Sequence, residues 1–101
     1  METSFVQTGG LRIGEGLIAF NASWPFAKLE VGDGNLTLTC LWKKWTFPKG
    51  SIRRLSKHEG LFSSGLCIEH DIANYTSFIV FWSMSFEKLK PELENRGYVV
   101  S

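Results

Sequence analysis

The sequence predicts a mainly β domain of about seven antiparallel strands followed by a single C-terminal helix. Three observations carry that expectation. Short runs of β-branched, aromatic or alternating residues, each closed by turn residues, recur from Leu17 to Met84. Apolar residues at helical spacing begin only after Ser85. A chain of 101 residues encloses one core and not two. With 44% apolar and 21% charged residues the composition matches folded domains rather than disordered segments.

The first run is Leu17 to Phe20, ended by Asn21 to Pro25, and the second is Phe26 to Val31. Gly32-Asp33-Gly34 is expected to supply the positive-φ positions of a hairpin turn. In the third run, Leu36 to Trp42, the residues Leu36, Leu38, Cys40 and Trp42 share one face, which predicts that Trp42 points into the core. Lys43-Lys44 is read as the reversal before the fourth run, Trp45 to Phe47, and Pro48-Lys49-Gly50 as the turn after it. Ser51 to Lys57 alternates less cleanly and suggests a bulge. After a glycine-bracketed loop from Gly60 to Gly65, Leu66 to His70 alternates strictly, and Ser77 to Met84 is apolar on both faces and must be covered on both.

The helix supplies part of that cover. Ser85 is the expected N-cap, Glu87 lies in the first turn, Phe86, Leu89 and Leu93 form the apolar stripe, and Gly97 takes the left-handed cap position. Pro91 removes one helical hydrogen bond, so a kink or a 3₁₀ first turn is expected. On this reading residues 1–16 are a partly flexible N-terminal extension, 17–98 the domain and 99–101 a tail.

This order of elements, with the Leu29-Glu30-Val31 to Leu36-Thr37-Leu38 hairpin and Phe47 ahead of Ile52, resembles the pleckstrin-homology-like superfold, in particular its bacterial and GRAM-like forms. The resemblance implies a barrel of two orthogonal sheets with one end stoppered by the helix. Phosphoinositide-binding members use basic residues around the loop between their first two strands. Here Asn21 to Lys28 offers Lys28 alone.

Charge is the sharpest asymmetry. Six of the eleven basic residues, Lys43, Lys44, Lys49, Arg53, Arg54 and Lys57, fall in a stretch with no acid, whereas the net charge is only +1. Such a dipolar chain is unsuited to binding nucleic acid by general basicity, and the run reads as a basic strand edge for an acidic partner or anionic lipid. Alternatively it is a solvated edge that blocks strand-to-strand aggregation. Trp24, Phe26 and Trp45 are the candidate apolar anchor for a partner; alternatively, because large aromatics are costly to expose, Trp24 and Phe26 fold over one end of the barrel and Trp45 packs in the core.

No pattern points to catalysis. His58 and His70 lack metal-ligand spacing, no Gly-x-Ser-x-Gly occurs, and no glycine-rich loop opens a helix, so neither a metal, a cofactor nor a small-molecule substrate is expected. Cys40 is predicted to face inward and Cys67 outward, as free thiols of a reducing compartment. No apolar run reaches the roughly 18 to 20 residues of a spanning helix, which predicts a cytoplasmic protein. The function expected is a non-enzymatic binding or scaffold domain contacting a protein or a second copy of itself. The alternative is a peripheral module on anionic lipid.

Overall fold

The computed structural model describes residues 4–14, 20–60 and 64–101. Seven antiparallel strands, β1 (Phe5–Ile13), β2 (Phe20–Val31), β3 (Asn35–Cys40), β4 (Lys43–Pro48), β5 (Ile52–Glu59), β6 (Ser64–His70) and β7 (Ile79–Ser83), precede one helix, α1 (Phe86–Asn95). The strands form one curled half-barrel sheet in the order β4-β3-β2-β1-β7-β6-β5. Its two edges are therefore β4 and β5, consecutive in the chain and joined by a 3₁₀ turn at Lys49–Ser51.

The N-terminal segment departs most from the sequence reading. Residues 5–13 are not an extension but the middle strand, paired with β2 on one side and β7 on the other. Leu11 and Ile13 face the core, while Gln7 fills an inward position with a polar side chain. That position is satisfied: the Ser83 hydroxyl donates to Gln7 Oε1, Gln7 Nε2 donates to the Ser85 carbonyl at 3.1 Å, and the Ser85 amide donates to Ser83 Oγ. A paired network of this kind removes the penalty of burying Ser83. The first expected strand, Leu17 to Phe20, lies outside the described residues except for Phe20, which opens β2.

The core is the concave face of the sheet. Leu29, Val31, Leu36, Leu38, Phe47, Leu55, Leu66, Ile68, Ile79 and Phe81 meet Phe86, Leu89 and Leu93 of α1, as the expected apolar stripe requires. The helix runs through Pro91 without a break, and the Ser85 carbonyl accepts from both Lys88 and Leu89 to start it. Ser85 holds the N-cap position, yet its side chain makes no capping bond. At the other end Gly97 adopts φ +89°, donates to the Glu94 carbonyl and lets Tyr98 donate to Leu93, which is a Schellman ending.

The residues beyond the helix are built in rather than trailing. Val100 is buried and bridges Leu55 in parallel, and the Ser101 amide donates to the Leu55 carbonyl at 2.8 Å, covering part of the β5 edge. The β4 edge is capped at one point by the Tyr75 hydroxyl, which accepts from the Thr46 amide. Across the gap between β4 and β6, Phe47, His70 and Tyr75 pack with ring centroids 5.3–5.8 Å apart, so aromatic contacts close the seam where no ladder does.

Candidate functional site

Two breaks in the ladder shape one end of the sheet. Gly9 pairs with Ala27 and Leu11 with Ala22, so residues 23–26 of β2 bow out opposite Gly10 alone. This excursion carries Trp24 and Phe26, 56% and 55% exposed, and includes the cis peptide before Pro25. The second break is the β3–β4 turn. Cys40 pairs with Lys43, leaving Leu41 and Trp42 as a two-residue tip, with Leu41 at φ +57°. Leu41 is 55% exposed and Trp42 83%.

The position of Trp42 overturns its expected burial. Inward parity holds along Leu36, Leu38 and Cys40, but the strand stops at Cys40, and parity carries no meaning beyond the last ladder pair. The reversal accordingly lies at Leu41-Trp42, while Lys43 and Lys44 belong to β4. Since Ala27 pairs with Cys40, the residues that next leave the two strands are Phe26 and Leu41. The excursion and the tip are thus neighbours in register and form one apolar end. Of the three candidate anchors, Trp24 and Phe26 belong to it, whereas Trp45 is half-buried against the core.

The basic run is divided rather than gathered. On β5, Arg53 forms an ion pair with Asp71, Lys57 with Glu59 at 3.3 Å, and Arg54 stands opposite Glu69. Lys49 donates to the Arg96 carbonyl at 2.6 Å and lies over the Tyr98 ring, a structural task that draws it toward the tail. Lys43 and Lys44 sit at the other edge, directly behind the tip. Thr39 pairs with both Lys28 and Lys44, so these two lysines share one cross-strand row. Neither β3 nor β4 contains an acidic residue.

A groove of about 510 Å³ opens beside the excursion, lined by Gly10, Ala22, Trp24, Trp82 and Met84 among others. Its floor is low because Gly10 has no side chain, and a Cβ there would come within 2.8 Å of the Ala22 carbonyl oxygen. Trp82 forms the far wall. It pairs with Gly10 on β1 and Gly65 on β6, so neither cross-strand neighbour crowds it with a side chain, and His58 packs on its edge at 5.5 Å.

The remaining reactive side chains have structural work. His70 Nδ1 accepts from the Ile72 amide at 3.0 Å, and Nε2 faces the Thr76 carbonyl at 2.8 Å. Cys40 is buried and Cys67 half-buried, as their strand parities imply, and both are free thiols. Burial pushes both thiols up; at Cys67 the Glu69 charge adds to the rise, while the Ser56 hydrogen bond and Arg54 oppose it. Among the described residues no cluster of three or more His, Cys, Asp or Glu could hold a metal, and no helix is long and apolar enough to cross a membrane.

Sequence reasoning missed the exposure of Trp42 and Met84. The available signal was Leu41 itself, an apolar residue that breaks the alternation of its run one position before a Trp-Lys-Lys triplet. No protein-family model, curated protein or solved structure matches the chain.

Proposed function

We infer that this chain is a non-catalytic docking domain on a pleckstrin-homology-like shell, and that its contact surface is the apolar end formed by the β2 excursion and the β3–β4 tip. What supports the shell is the strand order β4-β3-β2-β1-β7-β6-β5 followed by a helix packed on the core face. The register shift between Gly9 and Leu11 offers the corner at which one sheet could turn into two. The single observation that carries the docking role is the exposure of Trp24, Phe26, Leu41 and Trp42 at one end of a chain with few apolar residues to spare. Large aromatics at an exposed site are the side chains that contribute most when a partner covers them.

The test is the behaviour of the full chain in extracts of its own cells. The wild type is expected in a pelleted or high-mass fraction, and the Trp24→Ser/Trp42→Ser variant as a free 11.4 kDa monomer. A wild type that already runs free, or a variant with an unchanged profile, overturns the reading. Should the covering partner be a second copy, light scattering of the purified protein will show a doubled mass that the variant lacks.

A further inference from the structure

We propose that the apolar end pairs two copies of this chain about a two-fold axis, the Trp42 tip of each copy seating in the groove between Trp24 and Trp82 of the other. This rests on the reading of that end as a docking surface and names what covers it. The first argument is that one end carries both a projection and a slot. Trp42, at the tip of a two-residue turn, is the most exposed large apolar side chain among the described residues. The groove of about 510 Å³ falls in the size range of ligand pockets, and it is held open from within. A Cβ on Gly65 would lie 3.0 Å from Trp82 Cε3, whereas one on Gly10 would come no closer to that side chain than its Cβ, at 3.4 Å. The indole therefore leans toward β6, where His58 packs against it, and leaves the space over Gly10 to a planar guest.

The second argument is register. Cys40, Ala27, Gly9 and Ser83 pair side by side across β3, β2, β1 and β7. One residue further toward this end come Leu41, Phe26, Gly10 and Trp82. Tip, excursion and groove thus share one row, with the excursion of β2 in the middle and the other two each about one to two strand spacings away, roughly 5 to 10 Å. A two-fold axis running along β2 exchanges the two flanks, so each tip meets the other copy's groove and both contacts form at once. Such an arrangement closes at two copies. An unrelated partner would need a slot and a projection at the matching spacing, whereas a second copy has both. The same rotation sends Lys43 and Lys44 of the two copies to opposite ends of the contact, so neither pair faces its own image.

The third argument is area. At about 150 to 250 Å² for a fully covered aromatic, the half-exposed Trp24 and Phe26 and the nearly bare Trp42 hold on the order of 400 Å² per copy. The exposed Leu41 and Met84 and the backbone of the excursion bring the patch toward the roughly 800 Å² that each partner covers in a standard interface. The contact is therefore at the small end of the stable range, with three aromatics at its centre.

Light scattering of the purified full chain over a dilution series tests the proposal. The wild type is expected as a dimer that dissociates with a Kd on the order of 1 μM and does not grow beyond two copies. Trp42→Ser, which removes both projections, and Ser23→Arg, which fills both grooves from an exposed position of the excursion, should each weaken pairing at least about a hundredfold. An equal mixture of these two variants restores one of the two contacts and should associate within about tenfold of the wild type. Circular dichroism verifies that each variant is folded, and Met84→Asp on the exposed groove wall takes the place of a Ser23→Arg that is not. A monomeric wild type, assembly beyond two copies, a Trp42→Ser that pairs as well as the wild type, or a mixture no stronger than its components each overturns the proposal. If the purified chain stays monomeric while the Trp24→Ser/Trp42→Ser variant still loses its cellular fraction, the docking role stands and the partner is another protein.

Discussion

The two turns of the β2–β3–β4 meander lie one strand apart and have opposite fates. The β2–β3 turn, Gly32 to Gly34, is polar and glycine-rich, takes no positive φ despite the expectation from its glycines, and is held on three sides. The Tyr98 hydroxyl donates to the Gly32 carbonyl at 2.8 Å, the Lys49 amide to the Gly34 carbonyl at 2.9 Å, and Arg96 faces Asp33 at 3.9 Å. The β3–β4 turn, Leu41-Trp42, is apolar and stands in the open. Hydrophobicity therefore does not decide which turn is covered; the reach of the segment after α1 does. One end of the meander is secured for stability, and the other keeps apolar surface that stability does not use.

The widest gap between the two ends should appear on truncating their aromatics. Tyr98→Ala is expected to cost about 3 kcal/mol, because it empties a core site and frees the Gly32 carbonyl. Trp42→Ala should change stability by less than about 0.5 kcal/mol. Urea midpoints decide it, and similar losses at both sites would abolish the contrast.

Alkaline pH should act on the secured end alone. Burial, with the Asp33 charge adding and Arg96 opposing, pushes the Tyr98 phenol up to about 12. The folded state thus holds this proton more tightly than the unfolded chain, whose phenol titrates near 10. Its contribution is complete below about pH 10 and is lost as pH rises through about 12, with a ceiling of roughly 2 to 3 kcal/mol. Tyr98→Phe should flatten that part of the pH–stability curve while losing about 1 kcal/mol at neutral pH. A curve with the same alkaline fall in the variant assigns the loss to another group.

At the open end the expected change is smaller and opposite in sign. Leu41→Asn relieves the positive φ and should raise stability by about 0.5 kcal/mol. A destabilised Leu41→Asn would mean that the leucine side chain packs productively after all.

The smallest difference is kinetic, and concerns the thiols. Cys67, half-buried on the outer face, should react with a disulfide reagent in the native state, and buried Cys40 only on unfolding. Equal native rates would contradict their separation.

Much of the architecture was legible because alternation and helical spacing report burial directly. The strands from Phe26 onward, the inward set Leu36, Leu38 and Cys40, the stripe of α1 and the left-handed Gly97 follow from period and turn chemistry. What escaped detection did so for specific physical reasons. In β1 the inward positions include Gln7 and Gly9, so its alternation is invisible until the Ser83 and Ser85 partners across the sheet are known. The turn at Leu41-Trp42 contains none of the residues that normally announce a positive φ. The basic run looked like one strip because charge is counted along the chain. Asp71 and Glu69 arrive through the β5–β6 pairing, Glu59 lies two residues beyond Lys57 on β5 itself, and the β4 lysines sit at the opposite edge as a separate group.

The excursion of β2 has one more consequence, for anyone wishing to modify this protein. The ladder is fixed independently on either side of residues 23–26, by Gly9 with Ala27 and by Leu11 with Ala22. Lengthening or replacing this arch does not force either flank to slip, since neither alignment is propagated through it. It is a natural splice point, where a fluorophore-bearing peptide or an epitope could be grafted while the shell beneath stays in frame.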